Sequence, residues 1–130
     1  MGSARDVVDY TLQRRALLAD VAAGRRARAE VCDAHPYLLM AARHYGEPLA
    51  SACPVCASAE HRLVHYVYGE ALGHSTGQAK SVRELTAMAS RHTQFSTYAV
   101  EVCSTCGWNH LVRSFSLGAS ESVPDVAAGR

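Results

Sequence analysis

Four of the five cysteines in this chain stand as two matched pairs, Cys53-Pro54-Val55-Cys56 and Cys103-Ser104-Thr105-Cys106. Two residues between ligands let the backbone curl around a sulfur and aim its N–H groups at the negative thiolate. Four thiolates in two such turns suit a closed tetrahedral Zn²⁺ site. We therefore expect Cys53, Cys56, Cys103 and Cys106 to bind one structural Zn²⁺ per chain. Gly107 permits a tight turn with positive φ after the second pair, and Pro54 stiffens the first. Ala57 departs from the usual form, because it occupies the position where a glycine is common. With all four positions filled by sulfur, no place is left for water or substrate, so the ion would hold structure rather than act as a Lewis acid.

Iron is the alternative metal. A rubredoxin also uses two such pairs, and ligand type alone does not separate the two ions. Zinc is preferred because nothing in the chain suggests an electron-transfer partner system. The fifth cysteine, Cys32, lies between Val31 and Asp33 in a helical context and reads as a small buried hydrophobe. His110 follows the second pair at a spacing that could suit a ligand. With four cysteines present it reads better as a surface group or a donor to a thiolate. The sequence contains no nucleophile elbow, phosphate loop, HExxH or paired-carboxylate motif. We expect no catalytic residues, no organic cofactor and no small-molecule substrate; the chain is not read as an enzyme.

These residues sit in a chain of 130 residues and 14.0 kDa, 48% hydrophobic and 19% charged, which excludes full disorder. Twelve arginines and one lysine nearly balance twelve acids, for a formal charge of +1. Four thiolates and one divalent ion would take that to −1, so the chain lacks the strong basic charge of a general nucleic-acid binder. Residues 1–46 carry the surplus, with seven arginines against five acids. Arg25, Arg26 and Arg28 cluster there and are the candidate phosphate contacts; a solvated loop between helices is the plainer reading. No apolar run is long enough to span a membrane. Asp6 and Asp9 stand where a signal peptide needs an apolar core, and paired cysteines without such a signal fit a reducing cytoplasm.

The positioning elements follow from local patterns. Val7, Tyr10, Leu17, Leu18 and Val21 share one arc of a helix over 6–23, and Gly24 stops it. A short helix over 27–34 is followed by His35-Pro36, a cap and first-turn proline opening a helix that ends at Gly46. Leu63 to Tyr68 alternates as a strand, with Leu63, His65 and Val67 on one face and Val64, Tyr66 and Tyr68 on the other. Ser81-Val82-Arg83-Glu84 has the form of a capping box for a helix reaching His92. Two further strands are expected over 97–102 and 109–117. Trp108, Tyr66, Tyr68, Tyr98 and Phe115 either fill the core between sheet and helix or offer a stacking face for bases. The neutral ribbon favours the core.

The order Cys-Pro-Val-Cys, Tyr66-Val67-Tyr68-Gly69, Arg83-Glu84-Leu85 and Val102-Cys103-Ser104-Thr105-Cys106-Gly107-Trp108-Asn109-His110-Leu111 resembles an actinobacterial family of small zinc-ribbon proteins, a domain of unknown function. Val31-Cys32-Asp33-Ala34-His35-Pro36 fits it too. The resemblance implies a zinc-ribbon fold and metal at the four cysteines, and lends no activity or partner. The expected architecture is α+β: a helical segment over 1–46, a three-stranded antiparallel zinc ribbon with an inserted helix over 47–118, and a disordered tail over 119–130. The expected function is a cytoplasmic, non-catalytic zinc-ribbon adaptor for a protein or ribonucleoprotein partner, with transcription machinery the first candidate. The alternative is a DNA-binding regulator working through Arg25, Arg26 and Arg28.

Overall fold

The computed structural model describes residues 2–126. The chain mixes helices with one antiparallel sheet, as the expected α+β class requires. Its long strands are β3 (His61–Tyr68), β5 (Phe95–Cys103) and β6 (Asn109–Leu117). The sequence led us to expect three strands; among the described residues the sheet has six. The others are β1 (Arg5–Asp9), β2 (Glu47–Pro48) and β4 (Ala79–Lys80). The main order is β1-β6-β5-β3-β2, with β4 also paired to β3. Two-residue strands carry no pattern to read. They form because β3 offers them an edge.

The N-terminal reading needs the larger correction. Residues 6–9, expected to open the first helix, belong instead to β1, which pairs with β6 with Val8 opposite Ser114 and Asp9 opposite Arg113. The exposed backbone of β6 supplies hydrogen-bond partners that outweigh the weak helical periodicity of Val7 and Tyr10. Asp9 then accepts a hydrogen bond from the Thr11 N–H at 3.1 Å, and helix α1 runs Thr11–Ala22. Helix α2 is only Arg28–Val31. Helix α3, Pro36–Tyr45, begins as expected, with the His35 ring accepting from the Tyr37 N–H at 3.1 Å.

The remaining local signals are met. Helix α4 (Val82–Arg91) carries the full capping box: Ser81 accepts from the Glu84 N–H, and Glu84 accepts from the Ser81 N–H. It lies between β4 and β5 in sequence and buries Leu85, Met88 and Ala89 against Val67, Phe95, Phe115 and Leu117. On the other sheet face, α3 sets Ala41 and Ala42 against Val64 and Val102. Residues 119–126 return beside α4 and the N-terminus, where Ser120 N–H donates to Ala89 O and Ser122 N–H to Gly2 O. The part of the expected disordered tail at 127–130 lies outside the described residues.

Candidate metal centre

β3 and β5 pair in register from His61↔Cys103 to Tyr68↔Ser96. That register brings the start of β3 beside the end of β5, and each carries one cysteine pair. The two turns share a plan. Ala57 N–H donates to Cys53 O and Gly107 N–H to Cys103 O, both at 2.9 Å. Val55 N–H points at Cys53 Sγ (3.4 Å) and Trp108 N–H at Cys106 Sγ (3.3 Å). Ala57 (φ 66°) and Gly107 (φ 89°) occupy the same left-handed position in the two turns. The missing glycine at 57 is thus tolerated at some local strain. Gly107 is more constrained, because a Cβ there would lie 2.9 Å from Cys32 O.

The four sulfurs meet. Cys53 Sγ is 3.7 Å from Cys106 Sγ, Cys56 Sγ is 3.6 Å from Cys103 Sγ, and all four lie within 4.8 Å of one another. Such a cluster could hold a metal ion. Burial pushes the Cys53 and Cys106 thiols up, and neighbouring thiols push Cys106 further. Cys103 is also penalised by burial, but backbone N–H groups of Cys106 and Thr105 and the adjacent thiols bring it down to about 7. Four thiolates confined this closely repel one another, and a divalent cation removes that penalty.

Around the cluster, Trp108 is fully buried with Val31, Cys53 and Cys103, and Leu17, Leu18 and Val21 of α1 close over them. A buried polar set lies beside it, one that the sequence reading missed. Both partners of His61 are acceptors: Nε2 lies 2.8 Å from Glu101 Oε1 and Nδ1 2.9 Å from Ser51 O, and the protonated ring donates to both. Arg14 grips both Glu101 oxygens, Nη2 at 3.1 Å and Nε closer. Burial opposes ionisation of Glu101, yet His61 and Arg14 hold it down to about 2. Burial also opposes the His61 cation, but Glu101 and Ser51 O outweigh it and raise His61. The available signal was the inward position of Glu101 between Ala99 and Cys103, where a charge needs a partner.

The other candidate residues fall elsewhere. Cys32 is not the buried hydrophobe we expected: it is half-buried, and its Sγ lies 3.5 Å from Cys106 Sγ. His110 stays outside the cluster, stacked on Trp108 at 5.9 Å, with Nδ1 2.6 Å from Leu111 O. Trp108 and Phe115 are in the core, whereas Tyr68 and Tyr98 form an exposed edge-to-face pair. Arg25 pairs with Asp20 at 2.9 Å and Arg26 with Glu30 at 3.7 Å, so two of the three candidate phosphate contacts already have acidic neighbours. Among the described residues, no helix is long and apolar enough to cross a membrane.

Comparison with known proteins agrees with the resemblance noted above. The chain belongs to the DUF5318 family, described as a family of unknown function, which it matches over residues 1–128. It is 50% identical over 113 residues to the uncharacterized protein Rv0049 of Mycobacterium tuberculosis, covering 87% of this chain and 82% of that one. The uncharacterized protein Mb0050 of Mycobacterium bovis is similar to the same extent, 50% over 113 residues. No solved structure matches the chain.

Proposed function

We propose that this protein is a cytoplasmic, non-catalytic zinc-ribbon adaptor, with β3, β5 and β6 as the ribbon strands, α4 as the insert and a structural Zn²⁺ held by Cys53, Cys56, Cys103 and Cys106. The observation that carries the reading is the closed set of four protein sulfurs. A tetrahedral Zn²⁺ with Zn–S bonds of about 2.3 Å has S···S edges of about 3.8 Å. The cross-turn separations of 3.7 and 3.6 Å are close to that edge. Two turns supplying four thiolates leave the ion no open coordination position, which argues against hydrolytic chemistry at it.

The contact face we assign to a protein or ribonucleoprotein partner is the outer side of α3. Tyr37 is 76% exposed and Met40 55%, beside Tyr45 and Tyr66 in a shallow groove. Aromatic residues and methionine are enriched where proteins meet. Transcription machinery is the first assembly to test, on the analogy that ribbons are frequent in such complexes. The ion pairs of Arg25 and Arg26 weigh against the DNA-binding alternative.

The test is affinity isolation of tagged full-length chain from the parent cytosol at high salt, with metal analysis of the same sample. The reading predicts one stoichiometric partner, lost from a Tyr37→Ala/Met40→Ala variant that keeps its zinc. Association only with DNA, lost with rising salt and abolished by Arg25/Arg26/Arg28→Ala, would support the alternative instead.

A further inference from the structure

Cys32 stands outside the four-sulfur cage but is fixed against it. It ends α2, where its N–H donates to Arg28 O at 2.8 Å. The following residues are tied to the second cysteine turn: Ala34 N–H donates to Gly107 O at 3.0 Å, and Asn109 Nδ2 donates to Asp33 Oδ1 at 3.0 Å. Between these ties, Cys32 Sγ points at Cys106 Sγ, 3.5 Å away. The close approach depends on the bare Cα of Gly107. Cys53 and Cys103 are buried, whereas Cys32, Cys56 and Cys106 are half-buried. Cys32 therefore sits at the accessible edge of the cage, the one thiol there that the tetrahedron does not use.

We propose that Cys32 is a site of oxidative modification, at which a hydroperoxide joins Cys32 to Cys106 as a disulfide and so removes one ligand from the cage. The inference rests on the zinc reading above. In the first step the Cys32 sulfur attacks the peroxide O–O bond. With hydrogen peroxide this gives Cys32 sulfenic acid, and the departing hydroxide takes the thiol proton and leaves as water. In the second step the Cys106 thiolate attacks the sulfenic sulfur. The S–S bond forms, the S–O bond breaks, and the expelled hydroxide takes a proton from solvent. Two sulfurs together lose two electrons, the peroxide gains them, and two waters result. The sulfurs close from 3.5 Å to about 2.05 Å, a movement of side chains already in contact. With three sulfurs remaining, zinc is held weakly and is released.

Zinc-loaded full-length wild type and Cys32→Ser are treated with hydrogen peroxide. Release is followed with a chromogenic chelator, and disulfides are mapped by mass spectrometry of unreduced peptides. Both proteins should start with one zinc, the variant should release it about ten-fold more slowly, and wild type should yield a Cys32–Cys106 peptide pair. Equal release rates from loaded proteins would overturn the role of Cys32 alone. So would wild-type disulfides confined to Cys53–Cys56 or Cys103–Cys106, a result that decides the matter even if the variant folds poorly. Wild type that carries no zinc before peroxide would instead overturn the zinc reading, and this inference with it.

Discussion

At one end of the sheet, Leu85 and Met88 of α4 meet Val67, Phe95, Phe115 and Leu117 in an apolar core. At the other end of the same strands, the buried set is Val31, Trp108 and two cysteines, Cys53 and Cys103. The first end is held by burial of large side chains, each contributing about 2 kcal/mol. The second has few such side chains and sets four thiols beside buried Glu101 and His61, with half-buried Arg14 gripping the carboxylate. The same sheet therefore draws on two kinds of chemistry: one end excludes water from large apolar side chains, and the other gathers four thiols that could hold a metal ion.

Two histidines on β3 sharpen the contrast. His61 and His65 point to the same face and are both buried. Beside Glu101, His61 is raised and favours its charged form. His65 has no hydrogen-bond partner at Nδ1 among the described residues and lies edge-on to Phe115. Burial, aided by the Arg113 charge, pushes it down to about 4. The difference between them lies in their neighbours: a carboxylate and a backbone carbonyl beside His61, and only a guanidinium charge acting on His65.

On the proposed zinc reading, the largest expected effect comes from removing the ion. Chelation should abolish amide-exchange protection around Cys53–Ser58 and Cys103–Trp108 while α4 keeps much of its own. Equal loss in α4 would mean that the two ends form one cooperative unit. Next, Glu101→Ala leaves buried His61 and half-buried Arg14 without their anion and should cost about 3 kcal/mol in urea melts. Leu85→Ala, a cavity at the apolar end, should cost about 3 kcal/mol and leave zinc content unchanged. If Leu85→Ala lost zinc, the division between the ends would fail.

The smallest effect is at His65, and it is read from pH. Between pH 6.5 and about 4 the unfolded chain binds a proton at this residue more readily than the folded chain. Its contribution to stability is therefore present above 6.5 and declines as pH falls through that window. His61 has the opposite sign: its contribution is full at low pH and is lost as pH rises through its elevated folded value. His65→Leu should lie within about 1 kcal/mol of wild type at neutral pH, since it removes an unpaired polar atom. It should also flatten the slope between pH 6.5 and 4 in the melting profile. An unchanged slope would remove His65 as its source.

What could be read from the chain was local. The cysteine pairs, the His35-Pro36 start of α3, the Ser81–Glu84 box and the alternation of β3 each lie within a few residues, and each appears in the fold. What escaped was set by distant partners. Val7 and Val8 fit a helix until the edge of β6 is there to pair with them. Cys32 reads as filler because its neighbour Cys106 is 74 residues away in sequence. Glu101 belongs to no local motif, because Arg14, which grips it, lies 87 residues earlier. Residue types and short spacings revealed candidate ligands, whereas the groups that enclose them depend on the tertiary fold.

The central claim is most directly tested by zinc X-ray absorption on full-length protein purified without added metal, together with its metal content. The account predicts one zinc per chain with four sulfur neighbours at about 2.3 Å and no nitrogen or oxygen neighbour. Protein that folds without an ion, its thiols free or joined to one another, would contradict it; so would an open site with a bound water.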